Sequence, residues 1–151
     1  MRASKSYSDP GLENGFNSLI GFELIEWRSD HAVLQLVIES KHLNRSGVIH
    51  GGVLATMIDA ACGYAGCYCE TPGNVRAALT LSLTTSYLGS TSSGVLHCTA
   101  KKRGGGRRIF NATAEILTED GAMIALGQST YRYRSGSEDP AGVPRKKEDK
   151  S

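Results

Sequence analysis

Asp59 is the only charged residue between His50 and Glu70, and it stands among Met57, Ile58, Ala60 and Ala61. A carboxylate in such company loses favourable hydration unless it is paired or hydrogen-bonded. In one reading it accepts bonds from a neighbouring loop or faces water at a helix edge. In the other it is held in place for acid–base work. The residues upstream favour the second reading: Asn44, Gly47, His50, Gly51 and Gly52 bring polar groups and bare backbone to the start of the same segment. The first N–H groups of a helix lack intrahelical partners, and the dipole there favours negative charge. Glycine at 51 and 52 also removes side chains that would block a substrate's approach.

The elements that must position these groups can be read from hydrophobic period. The stretch from Gly51 to about Cys69 is rich in Ala, Leu, Met and Ile, contains no proline and is too long for a strand. It predicts one long helix, apolar on nearly every face and therefore buried, that the sequence Thr71-Pro72-Gly73-Asn74 brings to an end. Residues 22–27 and 31–38 read as a hairpin around Arg28-Ser29-Asp30, with the second strand covered on both sides for much of its length. In 77–88, Leu79, Leu81 and Leu83 alternate with Thr80, Ser82 and Thr84, which is strand period. Strands over 95–102, 108–117 and 122–133 follow, joined by Gly104-Gly105-Gly106 and Glu119-Asp120-Gly121. Two strands, one helix and four strands predict an α+β fold, an antiparallel sheet curved around one central helix. A doubly wound α/β fold has too few helices to draw on.

With 151 residues the chain suits one domain, placed at 11–134 between a flexible N-terminus (1–10) and a disordered polar tail (135–151). Seventeen basic against fifteen acidic residues give a net charge of +2, no global reason to bind nucleic acid. The most apolar stretch is interrupted by Asp59 and is too short for a membrane span. The N-terminal residues lack the apolar core of a secretory signal, so Cys62, Cys67, Cys69 and Cys98 are expected as free thiols in the cytoplasm. Their spacing does not suit a metal site, and no metal is expected. Neither a P-loop nor a G-x-S-x-G elbow is present.

The run Asn44-Arg45-Ser46-Gly47-Val48-Ile49-His50-Gly51-Gly52, with Asp59 nine residues after the His, resembles the signature of hotdog-fold acyl-CoA thioesterases of the phenylacetate-pathway (PaaI-like) type. The resemblance covers roughly residues 11–134. It implies a hotdog fold and hydrolysis of an acyl-CoA, aryl or medium-chain, to the free acid and CoA without a cofactor. It further implies that the Gly51 N–H polarises the thioester carbonyl, a role the physics of a helix start supports. By the same resemblance Asn44 orients water or substrate, His50 bonds near the thioester or braces the loop, and Asp59 acts as general base or nucleophile. Thr80 holds the water. Each residue also has a plainer use: His50 as a cap, the glycines for packing, Thr80 as a strand former and Asn44 in a turn.

Gly51 and Asp59 lie eight residues apart, about 12 Å along a helix, whereas a reacting carbonyl must sit within about 3 Å of both partners. The spacing predicts a homodimer with two composite sites, each combining Asn44, His50 and Gly51 of one subunit with Asp59 and Thr80 of the other. The resemblance implies pairing of such dimers into homotetramers. The basic stretch Lys101-Lys102-Arg103-Gly104-Gly105-Gly106-Arg107-Arg108 either holds CoA phosphates, through Lys101, Arg103, Arg107 and Arg108, or is a solvated hairpin tip. Two other functions fit the same motifs: a non-catalytic acyl-CoA sensor, and a hotdog enoyl-CoA hydratase or dehydratase.

Overall fold

The computed structural model describes Tyr7 and residues 9–146. Two short helices, α1 (Pro10–Glu13) and α2 (Gly15–Ile20), precede the hairpin β1 (Glu23–Arg28) and β2 (His31–Val37). After a 3₁₀ turn (Ser40–His42) comes the long helix α3 (Gly51–Gly66). The strands β3 (Asn74–Val75), β4 (Ala78–Tyr87), β5 (Val95–Gly105), β6 (Ile109–Thr118), β7 (Met123–Tyr133) and β8 (Val143–Pro144) complete the chain. Six strands form one antiparallel sheet in the order β1-β2-β5-β6-β7-β4, and β3 pairs with β8 separately. The sheet wraps α3 as the period argument expects. Leu34, Leu36, Leu96, Cys98, Phe110, Ala112 and Ile116 meet Leu54, Met57, Ile58, Ala61 and Cys62 in a single core.

Four details depart from the sequence reading. The helix ends at Gly66 rather than near Cys69, before the proline acts. Its last carbonyls are taken by the sheet and its neighbours: Tyr133 Oη donates to Gly66 O (2.6 Å), and Trp27 Nε1 to Tyr64 O (2.8 Å). β2 is covered on both sides only near Val33, since Val37 is 56% exposed. Gly104 and Gly105 belong to β5, facing Asn111 and Phe110, so the turn moves on to Arg107 and Arg108.

The fourth departure bears on the site. Leu79, Leu81 and Leu83 do not share a face, because the β4–β7 register slips between Thr80 and Ser82. Directly paired residues of antiparallel strands share a face, and one extra residue reverses the alternation. Thr80 pairs with Tyr131 and Leu83 with Ser129, so both project toward α3, and Leu79 does not.

Residues 135–146 also differ from the expected disorder. Ser137 is buried and its hydroxyl accepts the Ala77 N–H (2.9 Å), while Arg76 donates to the carbonyls of Ser137 (2.9 Å) and Glu138 (3.4 Å). Composition misleads here because the segment is ordered by backbone bonds to the domain, not by an apolar core of its own. At the other end, Tyr7 N–H donates to Leu24 O (3.0 Å) and Asp9 accepts from Tyr64 Oη (2.7 Å). The rest of the flexible-terminus expectation (residues 1–6 and 8), and that for 147–151, lie outside the described residues.

Phe110 fixes how closely α3 approaches the sheet. A Cβ at Gly66 would fall 2.1 Å from its ring, which is stacked on Tyr131 (centroids 4.8 Å apart) and tilted against Tyr133 (4.9 Å). With aromatic neighbours on both sides the ring has little room to yield. Gly66→Ala is therefore expected to destabilise the fold by about 1–3 kcal/mol, the usual cost of overpacking, despite the better helix propensity of alanine. A urea unfolding midpoint measures it.

Candidate active site

His50 is the N-cap of α3. Its Nδ1 accepts the Gly52 N–H (2.8 Å), and its carbonyl accepts from Val53 (2.9 Å) and Leu54 (3.4 Å). Because Nδ1 is an acceptor, the neutral ring carries its proton on Nε2, which is free to donate outward. The capping role and an outward donor thus coexist in one residue. The Gly51 N–H has no acceptor among the described residues. Tyr87, which the sequence reading did not single out, lies against this glycine: its hydroxyl donates to Gly51 O (3.0 Å), and its ring is 3.2 Å from where a Cβ would stand.

The loop before α3 is braced from within. Asn44 Oδ1 accepts the N–H groups of Ser46 (2.9 Å) and Val48 (3.3 Å), an Asx-type turn that Gly47 completes with φ of 75°. The turn-forming use of Asn44 is therefore realised, and its Nδ2 amide is left without a protein partner among the described residues. His42, also not foreseen, is fully buried. Its Nε2 donates to Ile20 O (2.7 Å), its Nδ1 accepts from Glu39 N (2.9 Å), and its carbonyl accepts the His50 N–H (2.8 Å). No sequence signal marks His42, which has none of the glycines that follow His50.

Asp59 is half-buried on the face of α3 turned toward β4 and β7. Thr80 Oγ1 donates to its Oδ1 (2.8 Å). Tyr131 Oη lies 3.0 Å from the same oxygen and 2.5 Å from the Asp59 backbone carbonyl. Burial, then the neighbouring Cys62 and Asp59, push the Tyr131 hydroxyl far above its ordinary range, so it remains a donor. Oδ2 has no protein partner among the described residues, and Asp59 borders a cleft of about 260 Å³ lined by Phe16, Asn17, Ala55, Thr56, Ala60 and Leu83. Thr80 therefore touches the carboxylate itself. Tyr131 is a second hydroxyl at the same oxygen that strand period could not reveal, since its pairing with Thr80 depends on register.

The thiols of Cys62, Cys67 and Cys98 are poor nucleophiles. Burial, reinforced by the Asp59 charge, pushes Cys62 up to about 12; burial pushes Cys67 to about 12 and Cys98 well above its usual range. Among the described residues no group of three or more His, Cys, Asp and Glu could hold a metal ion, and no helix is long and apolar enough to cross a membrane.

The basic hairpin does not form one patch. Lys102 lies on the helix-facing side, 5.9 Å from the Phe110 ring centroid, and with Arg107 and Arg76 it borders a cleft of about 450 Å³ shared with Glu138 and Asp139. Lys101 is on the other face, since alternate residues of β5 point opposite ways, and Arg103 donates to Thr113 there (2.8 Å). None of Lys101, Arg103, Arg107 and Arg108 lines the cleft at Asp59.

Asp59 and Gly51 stay about 12 Å apart along α3, and neither His50 nor Gly51 borders the Asp59 cleft. The cleft instead adjoins an unpaired sheet edge. β4 is the outermost strand, ten residues long, with Leu79, Leu81, Leu83 and Tyr87 at 47%, 54%, 37% and 54% exposure. Phe16 and Leu19 of α2 add further exposed apolar surface, and Phe16 joins Leu83 at the cleft. A long apolar edge of this kind is normally covered.

Residues 46–125 match the family described as the thioesterase superfamily. A candidate esterase of Mycobacterium tuberculosis is 30% identical over 114 residues, which is 75% of this chain and 81% of that protein. Its solved structure superposes with a TM-score of 0.72 at 28% identity, covering 79% of this chain and 95% of the other. Two further structures share the fold: a thioesterase of Haemophilus influenzae (TM-score 0.75, 21% identity, 89% and 95% coverage) and the E. coli PaaI protein of the phenylacetic acid degradation operon (0.70, 24%, 85% and 86%).

Proposed function

Because the chain belongs to the thioesterase superfamily, we propose that it hydrolyses an acyl-CoA, aryl or medium-chain, to the free acid and CoA, and that it does so as a homodimer. The observation that carries this reading is Asp59: a half-buried carboxylate with two hydroxyls on Oδ1 and none on Oδ2, set beside a cleft on an uncovered sheet edge. In the dimer, β4 and α2 are covered by the second copy. That copy brings Asn44, His50 and the open Gly51 N–H to the Asp59 cleft.

The chemistry follows from those groups. The thioester carbonyl oxygen, as it gains charge in the tetrahedral intermediate, is held by the Gly51 N–H at the dipole's positive end. His50 Nε2–H and the Asn44 amide, both without a partner among the described residues, are the further donors we assign to it. The cleft has room for water beside Asp59, so Oδ2 takes a proton from attacking water while Thr80 and Tyr131 fix Oδ1. Collapse of the intermediate expels the CoA thiolate, which takes up the proton held by Asp59 and so restores the carboxylate. Single-turnover hydrolysis in labelled water tests this route: label confined to the free acid supports it, and label on the protein indicates an acyl-aspartyl anhydride instead. Of the basic residues, Arg107 is the one we place near CoA phosphates, beside Arg76 and Lys102; Lys101, Arg103 and Arg108 are left as a solvated hairpin.

Thiol release over a panel of acyl-CoAs tests the function itself. Steady CoA release supports the thioesterase. Tight binding without turnover indicates a sensor, and hydration of an enoyl-CoA a hydratase. On this reading Tyr131→Phe and Thr80→Val each remove one hydrogen bond to a charged group, worth about 1.5–3 kcal/mol. Each is expected to lower kcat by about 10- to 100-fold, with KM little changed.

A further inference from the structure

A second and larger cavity, of about 420 Å³, neighbours the Asp59 cleft, with which it shares Asn17 and Ala60. It follows one face of α3 through Ala60, Gly63, Tyr64 and Cys67, positions three and four apart that stack along a helix. From Ala60 to Cys67 is about 10 Å. Its walls are aromatic and small apolar groups: Trp27, Tyr131, Val75, Ala77 and Ala78.

One residue of the ordered C-terminal segment, Arg145, lines the cavity, and Cys69 and Asn74, which border it too, are bonded to that segment. Residues 135–146 hold this wall in place: Asn74 Nδ2 donates to Ala141 O (2.8 Å), the Cys69 thiol to the same carbonyl (3.3 Å), and β8 pairs with β3. Arg145 closes on Asp9 of the N-terminal segment (3.8 Å), which Tyr64 also holds. The cations nearby are engaged, Arg145 with Asp9 and Arg76 with two strap carbonyls and the Tyr133 ring (4.2 Å), so the lining favours an apolar occupant over a phosphate.

We propose that this cavity receives the unbranched acyl chain of the substrate, and that the C-terminal strap, residues 135–146, sets the longest chain admitted. The proposal rests on the thioesterase reading, with the thioester at Asp59 and the chain running along α3 toward Arg145. It makes a terminal segment outside the sheet-and-helix core the determinant of substrate length.

Trp27 is the single tryptophan and lines the cavity, so its fluorescence reports occupancy without turnover. Saturated carboxylic acids from butyrate to palmitate are titrated into the full-length protein. Affinity is expected to rise about fourfold per methylene and then stop rising at the length where the chain meets the strap. Gly63→Leu, whose Cβ meets only the Tyr131 ring at 3.6 Å, fills the cavity midway and is expected to bring that limit to shorter acids. Deletion of 135–151 is expected to move it to longer ones. If the deletion does not fold, Arg145→Ala, which trims the one strap side chain lining the cavity, takes its place. A Trp27 response to CoA but to no carboxylic acid, a limit unmoved by Gly63→Leu, or a limit unmoved by the strap variant overturns the proposal. Thiol release separates the two readings: turnover with an unmoved limit sinks only the acyl pocket, and a limit that moves without any turnover sinks only the thioesterase.

Discussion

Replacing Asp59 with asparagine is expected to lower kcat for CoA release by about 10³-fold, within the range of a removed general base. Asparagine keeps the shape and can still accept from Thr80 and Tyr131 at its carbonyl oxygen, so the pairing at Oδ1 survives. What disappears is the unpartnered oxygen able to take a proton from water. The side chain is half-buried at the helix edge and not in the core, so the fold and the oligomer are expected to persist. Steady-state kinetics beside a unfolding curve and a sedimentation run checks this. Loss of activity together with loss of the folded state would instead give Asp59 a structural role.

Gly51→Pro is the second large effect. Proline is well tolerated at the first position of a helix, where its missing N–H has no intrahelical partner. The preceding His50 is already extended (φ −69°, ψ 132°), as a residue before proline must be. The substitution thus deletes the proposed oxyanion donor while leaving the helix start in place, and kcat is expected to fall by about 10²- to 10³-fold. Its Cβ must displace the Tyr87 ring, now 3.2 Å away, by a few tenths of an ångström. Gly51→Ala makes the same contact and keeps the N–H, so its much smaller expected loss measures the steric part. Equal losses in the two variants would assign Gly51 to packing alone.

Much of this was open to the sequence. Period separated the one buried helix from six strands, and the isolated Asp59 marked the half of the candidate site where Thr80 and Tyr131 meet it. Several things were hidden because they depend on register and on distant partners. The bulge at Leu81 places Thr80 and Leu83 on the same side, and a two-residue repeat carries no record of it. Tyr87 and Tyr131 act through hydroxyls whose helix partners are 36 and 72 residues away in the chain. The C-terminal residues look unfoldable by composition, yet Ser137 and Arg76 tie them down through backbone bonds. The sheet curved around one helix was legible because burial sets the period; the strap was not, because hydrogen bonding to a remote backbone leaves no periodic trace.

The central claim is that each reaction centre draws its carboxylate and its amide from different subunits. Co-expressing an Asp59→Asn protomer with a Gly51→Pro protomer under separate affinity tags yields a heterodimer that can be purified away from both homodimers. One of its sites pairs the intact Asp59 of the second protomer with the intact Gly51 of the first, and the other carries both lesions. The account predicts about half of the wild-type specific activity in this heterodimer, with both homodimers nearly inactive. A heterodimer as inactive as its parents would show that each chain works with its own Gly51 and Asp59, and would contradict it.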